Sequence, residues 1–285
     1  MIGAIIGDIV GSTWEMKFST PVGFPLFTEK SRFTDDTVLT FATAHTLMAT
    51  SFIPFKLRFA KQYRQWAMRY PDRGYGSKFK EWVKLPNYPI INSYADGCMM
   101  RCSPIAMFYE DREEALKKAV QSIAYTHDSP ESERGVKSIV DAIWMARHKA
   151  TKDEIKSRVQ EHYGHMLNQT LMELRTKATK DIRCNLVAPQ ALTCFIESKD
   201  FESAIRNAVF IGGDTDTNAS IAGALAEAFY GLHNIPLEMI SGAMAVLQKD
   251  SSDMIPFMNT FYGLCTPFKN IPYKTLPSFY NESAR

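Results

Sequence analysis

An all-α fold is what this sequence predicts, on three observations. Apolar residues recur at helical spacing in one segment after another, and no run of alternating apolar and polar residues is long enough to make a strand. Two stretches also carry glycine or alanine at every third or fourth position, which lets helices pack closely. Nothing resembling a linker or a repeat divides the chain, so residues 1–285 are expected to form a single domain.

The elements follow in order. Gly3, Gly7 and Gly11 fall at i, i+4 and i+8. Each helix-interior glycine costs about 1 kcal/mol relative to alanine, so the series points to a buried helix pressed against another backbone. Asp8, Ser12 and Glu15 share a polar face of the same predicted helix, and buried acids there need partners. Pro21, Gly23 and Pro25 mark a loop, after which Asp35, Val38, Phe41, Ala42 and His45 form the next helical stripe. Pro71, Gly74 and Gly76 mark a second irregular stretch. Further stripes are Leu116, Ala119, Val120 and Ile123; Val136, Ile139, Val140 and Ile143; and Phe201, Ala204, Ile205 and Ala208. The polar run from Arg147 to Arg183 reads as solvated helix and loop. Ala219, Ala222, Gly223 and Ala226 mark a helix with a narrow face of small residues.

Composition narrows the function. Lys+Arg 33 against Asp+Glu 31 leaves a net charge of +2 with no dense basic tract, which disfavours nucleic-acid binding by bulk charge. Cys98, Cys102, Cys184, Cys194 and Cys265 are scattered and lack CxxC spacing, which argues for reduced thiols, a cytoplasmic protein, and neither a zinc site nor a disulfide framework. Met1 to Ile6 is apolar, but it has no basic flank and meets Asp8 at once, so neither a signal peptide nor a membrane span is expected.

Two short acidic clusters carry the chemistry: Phe33-Thr34-Asp35-Asp36-Thr37 and Gly212-Gly213-Asp214-Thr215-Asp216-Thr217-Asn218. A helix N-cap needs one short polar side chain, and these segments hold several. Crowded like charges cost stability unless a cation offsets them, and carboxylates with hydroxyls are the hard donors that magnesium, calcium or manganese selects. Residues i and i+2 point about 200° apart on a helix, so Asp214 and Asp216 are expected to share an ion only if the segment is extended or irregular, as the two glycines permit.

Five motifs in order give the chain its resemblance to the ADP-ribosylglycohydrolase family, which includes dinitrogenase-reductase-activating glycohydrolases and ADP-ribosyl-acceptor hydrolases. They are Gly7 to Glu15, Phe33 to Thr37, Ser93-Tyr94-Ala95-Asp96-Gly97-Cys98-Met99-Met100-Arg101, Thr126-His127, and Gly212 to Asn218 with the helix to Gly231. The resemblance implies an all-α fold around two Mg2+ (or Mn2+) ions, with Thr34, Asp35, Asp36, Asp214, Asp216 and Thr217 as ligands. It places Glu15 beside the scissile bond, in a catalytic set with Asp35 and Asp36. Ser93, Tyr94, Asp96, Gly97, His127 and Gly213 would bind the ADP-ribose. Ala95 and Asp96 depart from the usual Gly and Asn, and Cys98-Met99 is bulkier than the common pair. An anionic Asp96 repels a diphosphate unless it meets a ribose hydroxyl or an internal donor.

The implied activity is hydrolysis of an N- or O-glycosidic bond at the anomeric carbon of ribose. An ADP-ribosylated protein, nucleic acid or small molecule would be the partner, with no membrane involved and the chain acting as a monomer. The alternative is a catalytically silent ADP-ribose-binding or structural relative, a reading the intact acid clusters disfavour. A phosphate-ester hydrolase lacks an evident basic clamp, and Cys98 or Cys102 lacks the signature of an activated nucleophile.

Overall fold

Close backbone contact between the first helix and a helix near the end of the chain organises the molecule. A computed structural model describes residues 1–265; the end of the expected domain lies outside the described residues. The described helices are α1 (Ile2–Gly11), α2 (Asp35–Met48), α3 (Phe55–Arg69), α4 (Ser77–Lys84), α5 (Ser103–Phe108), α6 (Arg112–Ile123), α7 (Pro130–Arg147), α8 (Lys152–Tyr163), α9 (Leu171–Thr176), α10 (Cys184–Ile196), α11 (Phe201–Ile211), α12 (Thr215–Tyr230), α13 (Leu237–Asp250) and α14 (Met254–Leu264). No strand occurs among the described residues. Two isolated bridges, Asn92 to His127 and Ala95 to Arg183, tie the 92–95 segment to its neighbours.

Every residue of α1 is buried. A methyl group on Gly3, Gly7 or Gly11 would stand 2.2 Å from the Gly223 carbonyl oxygen, 1.9 Å from that of Ala219 and 2.4 Å from that of Thr215, so glycine is what allows α1 to lie against α12. Glu227 of α12 fastens the other end, accepting from the Met1 amino group at 2.6 Å and from the Gly3 N–H at 2.8 Å.

The stripes on α7 and α11 are wholly buried, as their spacing predicts. On α6 the buried line runs through Ala115, Ala119 and Ile123, leaving Leu116 and Val120 half-buried, so the inward face is rotated from the expected one. A second correction concerns Glu15. The helical pattern was expected to reach it, but α1 ends at Gly11 and Glu15 sits on an exposed turn. Met16 there adopts a left-handed φ of 56° and donates its N–H to the Gly213 carbonyl at 2.8 Å, a long-range bond incompatible with continuing the helix. All five cysteines are buried free thiols. Among the described residues no helix is long and apolar enough to cross a membrane.

Candidate metal centre

Four distant chain segments converge at the N-terminal ends of α2 and α12. Asp8, at 0% exposure on α1, is their anchor. Its carboxylate accepts from the Thr34 N–H (2.9 Å), the Thr34 hydroxyl (2.7 Å), and the N–H and hydroxyl of Thr37. These bonds satisfy the buried acid and fix the start of α2, where Thr34 is the N-cap and accepts from the Asp36 N–H. Asp35 is held from outside: its N–H donates to the Arg73 carbonyl at 2.7 Å. Gly74, at φ +99°, comes so close that a methyl group on it would be 3.1 Å from Asp35 Oδ1.

On the other wall Asp214 is the N-cap of α12 and Asp216 lies in its first turn. Only one of the two is helical, which is how residues two apart come together here. Gly212 and Gly213, at φ +79° and +80°, make the turn that leads into them. Asp8, Asp36 and Asp216 each bring a carboxylate oxygen within 4.8 Å of the others.

The electrostatics are those of crowded carboxylates, with Asp8, Asp36 and Asp216 buried and Asp35 and Asp214 half-buried. Burial, then the charges of Asp216 and Asp8, pushes Asp35 well above the ordinary carboxylate range. Burial, then Asp216, does the same to Asp36, and burial, then Asp214, to Asp216. Asp214 is pushed up to about 8 by burial and the charge of Asp96. Asp8 rises only to about 6, because the Thr37 and Thr34 hydrogen bonds oppose the effect of burial. Such a set must bind protons or a cation. Asp36 Oδ1 and Asp96 Oδ2 are buried without a hydrogen-bond donor, and hard anionic oxygens in that state fit a divalent ion such as magnesium or manganese.

Thr217 is buried beside Asp216, to whose Oδ1 it donates its N–H at 3.1 Å. Glu15 is exposed on the turn after α1, and its charge contributes to raising Asp35, Asp214 and Asp216. Asp96 is buried in a short turn, and burial pushes its carboxyl well above the ordinary carboxylate range. His127 is buried, bonds the Thr126 hydroxyl through Nδ1 at 2.9 Å, and has Nε2 3.5 Å from where a methyl group on Gly97 would lie. Burial and the charge of Arg101 hold its pKa well below the usual histidine range, so it is neutral. The Ser93 carbonyl accepts from the Ser132 hydroxyl at 2.8 Å, while the Tyr94 ring is 51% exposed.

Sequence reasoning missed two contributors. Asp8 was read as an acid in need of partners, and the hydroxyls of Thr34 and Thr37 are those partners. The 179–182 stretch was read as solvated, yet the Ile182 carbonyl accepts from the Asp96 N–H at 2.8 Å, and the Thr179 carbonyl lies 3.1 Å from where a methyl group on Gly213 would be.

The family model described as ADP-ribosylglycohydrolase matches residues 1–256. The chain belongs to the ADP-ribosylglycohydrolase family. Its relatives include ADP-ribosylhydrolase ARH3 of Mus musculus, 25% identical with 83% of this chain and 84% of that protein covered. The Homo sapiens ADP-ribosylhydrolase ARH3 is 24% identical, with 83% and 85% covered. A putative ADP-ribosyl glycohydrolase of Acanthamoeba polyphaga mimivirus is 22% identical, with 91% and 94% covered. A solved ADP-ribosylglycohydrolase-related protein complex shares the fold at a TM-score of 0.64 and 23% identity, covering 87% of this chain and 95% of that one.

Proposed function

We propose that this member of the ADP-ribosylglycohydrolase family is a divalent-metal-dependent hydrolase that removes ADP-ribose from a modified acceptor by cleaving the N- or O-glycosidic bond at the anomeric carbon. The observation that carries the reading is that buried Asp8, Asp36 and Asp216 bring carboxylate oxygens within 4.8 Å of one another, with one oxygen of Asp36 lacking any donor. That relatives of this chain are ADP-ribosylhydrolases supports it. Thr34, Asp35, Asp36, Asp214, Asp216 and Thr217 are assigned to hold two Mg2+ or Mn2+ ions. Bound there, such ions supply Lewis-acid charge to vicinal ribose hydroxyls and to the attacking water.

The chain's own groups complete the reaction. Glu15, on the exposed turn after α1, takes the proton of that water, while Asp35 and Asp36 hold the orientation of the sugar as it passes through its oxocarbenium-like transition state. Neutral His127 offers Nε2 over Gly97, which has no side chain to block it. Ser93, Tyr94, Asp96, Gly97 and Gly213 line the ADP-ribose side, with the exposed Tyr94 ring available to stack on adenine. The acceptor is an ADP-ribosylated protein, nucleic acid or small molecule. The free thiols fit the cytoplasm, and the chain is assigned as a single-domain monomer. The test is a panel of ADP-ribosylated acceptors with mass-spectrometric detection of free ADP-ribose. Release should require Mg2+ or Mn2+ and stop on chelation; full release after exhaustive chelation would overturn the metal reading.

A further inference from the structure

We infer that Cys98 and Cys184 form a modification site, a dithiol that hydrogen peroxide converts to a reversible disulfide, displacing the turn that carries Asp96 and Gly97. The effect on catalysis rests on the function proposed above, whereas the oxidation itself does not. The two Sγ atoms lie 3.4 Å apart, although the residues are 86 positions apart in sequence. Backbone pairing brings them together. The Cys184 N–H donates to the Tyr94 carbonyl at 2.9 Å, the Asp96 N–H donates to the Ile182 carbonyl at 2.8 Å, and Ala95 is bridged to Arg183. Cys98 closes the short turn Asp96–Cys98, and Cys184 opens α10. Both thiols reach the same acceptor, the Ala95 carbonyl, at 3.6 and 3.1 Å. Gly135 of α7 makes the space for them, since a methyl group there would stand 3.0 Å from Cys184 Cβ and 3.4 Å from its Sγ.

Both thiols are buried, but Tyr94 and Arg183 beside them are exposed, so they lie directly beneath a surface edge that a small oxidant reaches. The chemistry balances. One sulfur attacks a peroxide oxygen, the O–O bond breaks and water leaves, giving a sulfenic acid. The other sulfur attacks that sulfur, the S–O bond breaks, and the second water carries away the remaining thiol hydrogen. Bringing the sulfurs from 3.4 Å to the roughly 2.05 Å of a disulfide takes about 1.4 Å of movement. Both side chains are packed on all sides, so the turn shares that movement and Gly97 shifts against His127, whose Nε2 is 3.5 Å from where a methyl group on Gly97 would lie.

The test is mass spectrometry of the full chain, reduced and then treated with hydrogen peroxide, digested without reductant. A cross-linked peptide pair joining Cys98 to Cys184 should form, lighter by two hydrogens, and dithiothreitol should reverse it. Cys102, Cys194 and Cys265 should stay free. Release of ADP-ribose should slow by about a hundredfold on oxidation, the cost of a misplacement of about 1 Å, and recover in dithiothreitol. Cys184→Ser should release ADP-ribose at the parent rate and lose the peroxide effect; Cys98→Ser, equally unable to form the bond, serves if the first variant does not fold. Free Cys98 and Cys184 after peroxide, or cross-links among other cysteines, would overturn the inference. A Cys98–Cys184 bond with an unchanged rate would overturn the displacement of the turn. No release by the reduced chain, with the cross-link formed, would instead overturn the proposed function and leave the modification site standing.

Discussion

Gly7→Ala tests whether the contact between α1 and α12 builds the site. In an ordinary helix this change stabilises by about 1 kcal/mol, because alanine is the better helix former. Here the new methyl group would lie 1.9 Å from the Ala219 carbonyl oxygen and 2.3 Å from its carbon, where ordinary contact starts near 3.4 Å. Both neighbours are backbone, so no rotamer change relieves the clash and the helices must part by about 1.5 Å. Overpacking that side chains can absorb typically costs about 1–3 kcal/mol, which puts a backbone clash at about 3 kcal/mol or more. For a chain of this size that lowers the melting temperature by about 5 °C. Parting the helices also separates Asp8 from Asp216, so Mn2+ affinity should fall with stability. Thermal melting followed by circular dichroism, in chelator and in Mn2+, measures both. Gly76→Ala is the control, since nothing lies within 4 Å of its new methyl group, and it should stay within about 0.5 kcal/mol of the parent. A Gly7→Ala protein that melts at or above the parent temperature would refute the reasoning.

Two further outcomes follow from the site. Glu15→Gln should slow ADP-ribose release by on the order of a hundredfold or more while metal content by elemental analysis stays unchanged; a normal rate, or lost metal, would pass its duty to Asp35 or Asp36. The metal-free protein should also lose stability as pH rises. Asp214 and Asp8, pushed up to about 8 and about 6, hold protons in the folded state that ordinary carboxyls of the unfolded chain release near pH 4. Their contribution is therefore fully present below about pH 4 and is lost as pH climbs through about 8. In chelator, Asp214→Asn should flatten the fall in melting temperature between pH 5 and 8, and saturating Mg2+ should abolish it in the parent. A Asp214→Asn slope identical to the parent's would contradict this.

Helical spacing made the fold legible, because α7 and α11 bury on one face what their sequences place there. The acid clusters were legible too, since Thr34 to Asp36 and Asp214 to Thr217 hold more carboxylates than capping uses. What escaped was set by distant partners. Nothing local to Ser12–Glu15 shows that the Met16 N–H will bond Gly213 and end the helix. Nothing in the 93–101 segment alone shows that Asp96 will be buried with its N–H on the Ile182 carbonyl, because that carbonyl lies far along the chain. The burial of Asp8 was foreshadowed by its glycine neighbours, but the identity of its donors was not.

The glycine-lined contact between α1 and α12 has a consequence for how such a protein can diversify. Where backbone rests on backbone there are no side chains to exchange, so the floor that carries Asp8 and Asp216 offers almost no variants that keep its dimensions. Novelty is left to the rim. The turn at Glu15 bonds the Gly213 carbonyl through the Met16 N–H, and the segment around Tyr94 and the stretch ending at Ile182 are bonded to each other through main-chain groups that most residues supply, while several of their side chains face solvent. A lineage could therefore change which acceptor it recognises by altering those three edges, with the bond-breaking apparatus beneath them held fixed.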